Sequence, residues 1–68
     1  MTTFRQKLGL KIRKFRKQKE ITQEKLAELA KIDYSYLNLI ENGNRNPSIK
    51  VITKIARALG VSPKELLP

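Results

Sequence analysis

Sixty-eight residues with fifteen Lys or Arg against six Asp or Glu carry a formal charge of +9, a balance that attracts polyanions. A chain this short makes one domain, residues 1–68, burying only about 60% of the surface its unfolded form exposes, which leaves no room for a deep catalytic pocket. With no Cys and no His it lacks a disulfide framework, the soft ligands of a zinc site and the commonest general base, so no metal or cofactor is expected and an enzyme is the weakest reading.

The charge is uneven. Arg5, Lys7, Lys11, Arg13, Lys14, Arg16, Lys17 and Lys19 precede any acid and sum to +8, whereas beyond Lys19 seven bases meet six acids. Apolar runs never exceed two residues, as at Leu39-Ile40, against roughly 18 for a membrane span. Nothing reads as a signal or transit peptide, and a cytoplasmic location is expected.

Polar breaks at Lys19-Glu20, Lys31-Ile32, Asn42 to Pro47 and Gly60-Val61 divide the chain into five helical segments. In the first, Thr3 and Gln6 have capping-box spacing, and Phe4, Leu8, Ile12 and Phe15 form one apolar stripe. The next two open alike, an apolar residue before a polar cap and another five positions on: Ile21-Thr22 with Leu26, then Ile32-Asp33 with Leu37. These hydrophobic staples confine the second helix to Gln23 through about Ala30 and start the third at Tyr34 after a tight turn. The fourth is capped by Ser48, buries Ile49, Ile52, Ile55, Ala56 and Leu59, and stops at Gly60. The last has Ser62 and Glu65 as a capping box, Pro63 at its first position and Val61 with Leu66 as a third staple. The expected fold is an all-α, compact five-helix bundle.

Stepping about 100° per residue from Tyr34 puts Tyr36, Leu37 and Ile40 on one side of the third helix. Tyr34, Ser35, Asn38, Leu39 and Asn42 fall on the other. That second face carries no charge in a protein that is 31% charged, and Asn, Ser and Tyr can hydrogen-bond base edges. A plain solvent face would more often hold Lys and Glu.

Thr22-Gln23-Glu24-Lys25-Leu26-Ala27, Asp33-Tyr34-Ser35-Tyr36-Leu37 and Ile40-Glu41-Asn42-Gly43-Asn44-Arg45-Asn46-Pro47-Ser48 together resemble the Cro/repressor-type helix-turn-helix family, the XRE family, over almost the whole chain. The resemblance implies the phage-repressor bundle, with the helix-turn-helix at about 23–42 and a recognition helix at about 34–42 in the major groove of double-stranded DNA. By it, Tyr34, Ser35, Asn38 and Leu39 would read bases, Asn38 pairing bidentately with adenine and Leu39 touching a thymine methyl. Gln23, at a helix N-terminus that favours anions, resembles the family's phosphate-binding glutamine, with Thr22 beside it. Asn42, Asn44, Arg45 and Asn46, with Ser48, Lys50 and the hydroxyl of Tyr36, form the expected phosphate clamp, whose plain alternative is a connecting turn. Glu41 borders the buried side of its helix, and the family pairs this acid with the equivalent of Arg16.

Two departures from the family stand out. Glu20 and Lys31 occupy helix ends where Gly is common, and Leu10 and Leu29 occupy positions where polar residues are expected, which marks them as partner-facing. The implied function is a transcriptional regulator, most simply a repressor, acting as a homodimer. Val61, Pro63, Leu66 and Leu67 are either its interface or part of the core. An antitoxin or a restriction-modification controller shares the fold and is not separated by the sequence. A basic amphipathic first helix lying on anionic lipid is a different class of reading, weakened because the bundle needs the same apolar stripe.

Overall fold

The computed structural model describes residues 2–68. Its helices are α1 (Phe4–Gln18), α2 (Gln23–Ala30), α3 (Tyr34–Glu41), α4 (Ile49–Leu59) and α5 (Pro63–Leu66). Each begins where the caps predicted. Thr3 and Gln6 bond reciprocally, Gln6 N–H to Thr3 Oγ1 at 3.2 Å and Thr3 N–H to Gln6 Oε1 at 2.8 Å. At α5 the Glu65 carboxylate accepts the Ser62 N–H at 2.8 Å. Gly60 ends α4 in the left-handed region at φ 73°.

Two helix ends take that conformation without glycine: Glu20 at φ 58° after α1, and Lys31 at φ 57° closing α2. Each costs about 1–2 kcal/mol relative to a glycine. The staple that follows each turn holds it: Ile21 and Ile32 pack on the core that contains the fully buried Leu26 and Leu37.

Leu8, Ile12, Leu26, Leu37, Ile40, Ile55 and Leu66 are the large side chains sealed in the centre. Around them α2 packs on α3 and α4, α1 lies along α3, and α5 closes the end between α4 and α1. Two residues assigned to buried stripes are outside it: Phe4 is 54% exposed and Ile49 74% exposed. The period places both on the apolar side, but each is the first residue of its helix and faces solvent. Of the two readings open for Leu66, interface or core, burial selects the core. Leu66 is 0% exposed within the protomer's own core, so of the candidate interface residues only the exposed Pro63 and Leu67 and the half-buried Val61 offer any surface.

The approach of α1 to α3 depends on one glycine. A Cβ on Gly9 would stand 2.5 Å from the Ile40 carbonyl oxygen and 2.6 Å from that of Glu41, backbone atoms that cannot rotate away. Gly9→Ala is therefore expected to push the helices apart and to destabilise the fold by about 1–3 kcal/mol despite the better helix propensity of alanine. Thermal unfolding of the variant checks this; an unchanged Tm would show that the α3 backbone accommodates the added methyl at no cost.

Candidate nucleic-acid interface

Three helix N-termini differ in the charge of their caps. Thr22 Oγ1 accepts the Lys25 N–H at 3.0 Å at the head of α2, and Ser48 Oγ accepts the Val51 N–H at 3.2 Å at the head of α4. Both caps are neutral; the positive end of α4, with no acid in its first turn, remains attractive to an anion, and that of α2 is partly offset by Glu24. At the head of α3 the cap is the Asp33 carboxylate, which accepts the Ser35 N–H at 3.1 Å and also the Ser35 hydroxyl. A phosphate is disfavoured there, and the start of α3 is left to neutral groups.

The Ser35 hydroxyl first and the Tyr36 backbone N–H next hold the Asp33 carboxyl below the ordinary aspartate range; desolvation opposes them, and the Ser35 backbone N–H adds the smallest lowering effect. A carboxyl lowered in the folded state stabilises the fold above its unfolded value, and that contribution disappears as pH falls through the folded one. Below about pH 4 the cap of α3 should weaken. Asp33→Ser, an uncharged cap, is expected to flatten the acid limb of a Tm-against-pH curve; an unaltered limb would place acid sensitivity elsewhere.

On α3, Tyr34 is 47% and Leu39 36% exposed, Ser35 is exposed, and Asn38 is half-buried beside them. Asn42 follows as the C-cap, and Asn44, Arg45, Asn46, Ser48 and Lys50 are all exposed along the connection into α4. Tyr36 is half-buried against the core, with the Arg45 guanidinium 5.6 Å from its ring centroid, a contact that draws the loop toward α3.

Behind this face sits Glu41, with its side chain fully buried. Arg16 grips it with two bonds, Nε to Oε2 at 2.8 Å and Nη2 to Oε1 at 3.1 Å, and gives its Nη1 to the Ile21 carbonyl at 2.9 Å. The ion pair thus fastens α1 to both α3 and the turn before α2. Gln23 Nε2 donates to Glu41 Oε1 at 3.0 Å, and Asn38 Nδ2 donates to Gln23 Oε1 at 3.0 Å. Asn42 Nδ2 then donates to Asn38 Oδ1 at 3.2 Å. Gln23, expected to bind phosphate, has its amide engaged in both directions, with one N–H left for an outside acceptor.

Arg13 is the site residue that sequence reasoning missed. Its Nη2 lies 3.4 Å from Asn42 Oδ1, and its buried Nε stands 3.7 Å from Glu41 Oε1 without a hydrogen bond. The available signal was its spacing of three from Arg16, which puts both arginines toward one side of α1. Among the described residues no cluster of acids could hold a metal ion, and no helix is long and apolar enough to cross a membrane.

The geometry has counterparts among known proteins. The description of the helix-turn-helix family HTH_3 matches residues 12–66. The chain is 47% identical over 60 residues to the control protein C.BamHI of Bacillus amyloliquefaciens, covering 87% of this chain and 74% of that one. It is 41% identical over 61 residues to the transcriptional regulator SinR of Bacillus subtilis, covering 88% of this chain and 55% of SinR. The crystal structure of the restriction-modification controller protein C.AhdI from Aeromonas hydrophila superposes with a TM-score of 0.90 at 41% identity, covering 93% of this chain and 96% of that one. With a bundle, a match and relatives all of one kind, this chain belongs to the XRE-type helix-turn-helix family of DNA-binding regulators.

Proposed function

We propose that the protein is a cytoplasmic, sequence-specific transcriptional regulator that binds duplex DNA as a homodimer on a two-fold operator, its half-sites about 34 Å apart. The observation that carries this reading is the uncharged, exposed face of α3 in a fold that also offers two neutrally capped helix N-termini, those of α2 and α4. Phosphates sit at the heads of α2 and α4, held by Thr22, Gln23, Asn42, Asn44, Arg45, Asn46, Ser48 and Lys50, with the Tyr36 hydroxyl in support. They fix the register in which Tyr34, Ser35, Asn38 and Leu39 meet base edges. A second copy docks through Val61, Pro63 and Leu67.

Control of a restriction-modification operon is the favoured role within this class. The chain covers 74% of C.BamHI and 96% of C.AhdI, against 55% of SinR. Methyltransferase and nuclease genes alongside the coding sequence would support that role, and their absence would count against it.

Selection from random duplexes should yield a two-fold motif. Asn38→Ala should then lower affinity for that motif by about 1–3 kcal/mol and relax preference at one base position, with little change on random duplex. Equal losses on both duplexes would remove Asn38 from the base-reading set. Sedimentation of the free protein and of the complex gives the stoichiometry.

A further inference from the structure

The hydrogen bonds behind α3 have a direction. A carboxylate only accepts and a guanidinium only donates, whereas an amide does both and has no preferred sense by shape. Because Glu41 Oε1 must receive, Gln23 turns its Nε2 inward and its Oε1 toward Asn38. Asn38 must then present Nδ2 to Gln23, which leaves its Oδ1 facing Asn42 Nδ2. Asn42 Oδ1 in turn faces the donor Arg13 Nη2. The two charged ends demand the same sense, the buried Glu41 at 3.0 Å more firmly than the exposed Arg13 contact at 3.4 Å, and reversing any one amide would set oxygen against oxygen on one side and nitrogen against nitrogen on the other.

We propose that Glu41, acting through Gln23, is a specificity-determining positioning residue that fixes which way the Asn38 amide faces DNA. The proposal rests on the base-reading role of Asn38 given above. In the sense imposed, one Nδ2 hydrogen and one Oδ1 lone pair remain uncommitted, the donor and acceptor that a bidentate pair with adenine requires. Adenine fits with N7 toward the Gln23 side and its N6 amino group toward the Asn42 side. An amide free to turn over would take adenine from either strand, so the buried carboxylate separates A·T from T·A at that pair without touching DNA.

The test uses the selected duplex, the same duplex with the Asn38-dependent pair exchanged from A·T to T·A, and a random duplex. Gln23→Met keeps the length of the side chain, removes the amide and leaves Glu41 with Arg16. It is expected to reduce the preference for A·T over T·A by about tenfold. In an Asn38→Ala background it should change that preference no further, while its loss on random duplex persists, a pattern that a merely structural role would not give. Glu41→Gln, assayed below its Tm, should relax the same pair because the new amide can donate as well as accept. An undiminished preference in Gln23→Met overturns the proposal. In the free wild-type protein, nuclear Overhauser contacts should tie an Asn38 NH2 proton to the Gln23 side chain; NH2 protons facing Asn42 instead would overturn it whether or not Glu41→Gln folds. Equal binding of all duplexes by the wild type would overturn the base-reading role itself, and is told apart from retained discrimination in Gln23→Met, which overturns only the positioning role.

Discussion

Glu41→Ala is expected to destabilise the protein by about 3–5 kcal/mol, because it leaves the Arg16 guanidinium, 12% exposed, without its carboxylate. For a chain of this length the whole folding free energy is roughly 3–10 kcal/mol, so the loss removes about a third of it at the least and all of it at the low end of the range. The corresponding fall in Tm is about 12–40 °C. Arg16→Met should be milder, since Glu41 keeps the Gln23 amide and the charge of Arg13 at 3.7 Å. Replacing both partners together, Arg16→Met with Glu41→Leu, should recover much of the loss, as buried pairs exchanged for apolar groups of similar volume often do. Calorimetric or circular-dichroism melts of the three variants measure this order. A loss below about 1 kcal/mol for Glu41→Ala would mean that the pair acts as a solvated one, within the range of surface salt bridges.

The second large effect is on DNA affinity. Of the proposed phosphate ligands only Arg45 and Lys50 carry charge, and neutral amides and hydroxyls release no counterions. Two cations per protomer, doubled in a dimer, give a log–log salt slope of about −4, or a loss of roughly two orders of magnitude between 50 and 200 mM salt. Arg45→Gln should flatten the slope by about 2 in the dimer, whereas Asn44→Ala should weaken binding and leave the slope alone. Titration of a labelled duplex at several salt concentrations gives both numbers. A slope near −8 would bring the bases of α1 onto the duplex, and a flat response would remove the charged clamp altogether.

Local signals carried much of the architecture. Helix starts were legible because each cap is a short-range bond between a side chain and a backbone N–H two or three residues on, as at Thr3, Thr22, Asp33 and Ser48. The staples and Gly60 were legible for the same reason, and they bounded α2 and α3 closely enough to set the uncharged face of α3 apart from its buried one. Exposure at helix ends was not. Phe4 and Ile49 obey the apolar period and still face solvent, because periodicity reports direction around an axis and says nothing of how far the neighbouring helix extends.

The sequence by itself determined the caps, the helix bounds, the charge imbalance and the family motif, all of which depend on residues a few positions apart. Only the tertiary structure decided that Leu66 closes the core, that Gly9 carries the α1–α3 contact, and that Arg13, Gln23, Asn38 and Asn42 form one directed chain ending on Glu41. Those contacts join residues up to 29 positions apart. Their geometry follows from how three helices meet, and each amide can bond in either sense until packing sets it between a fixed acceptor and a fixed donor.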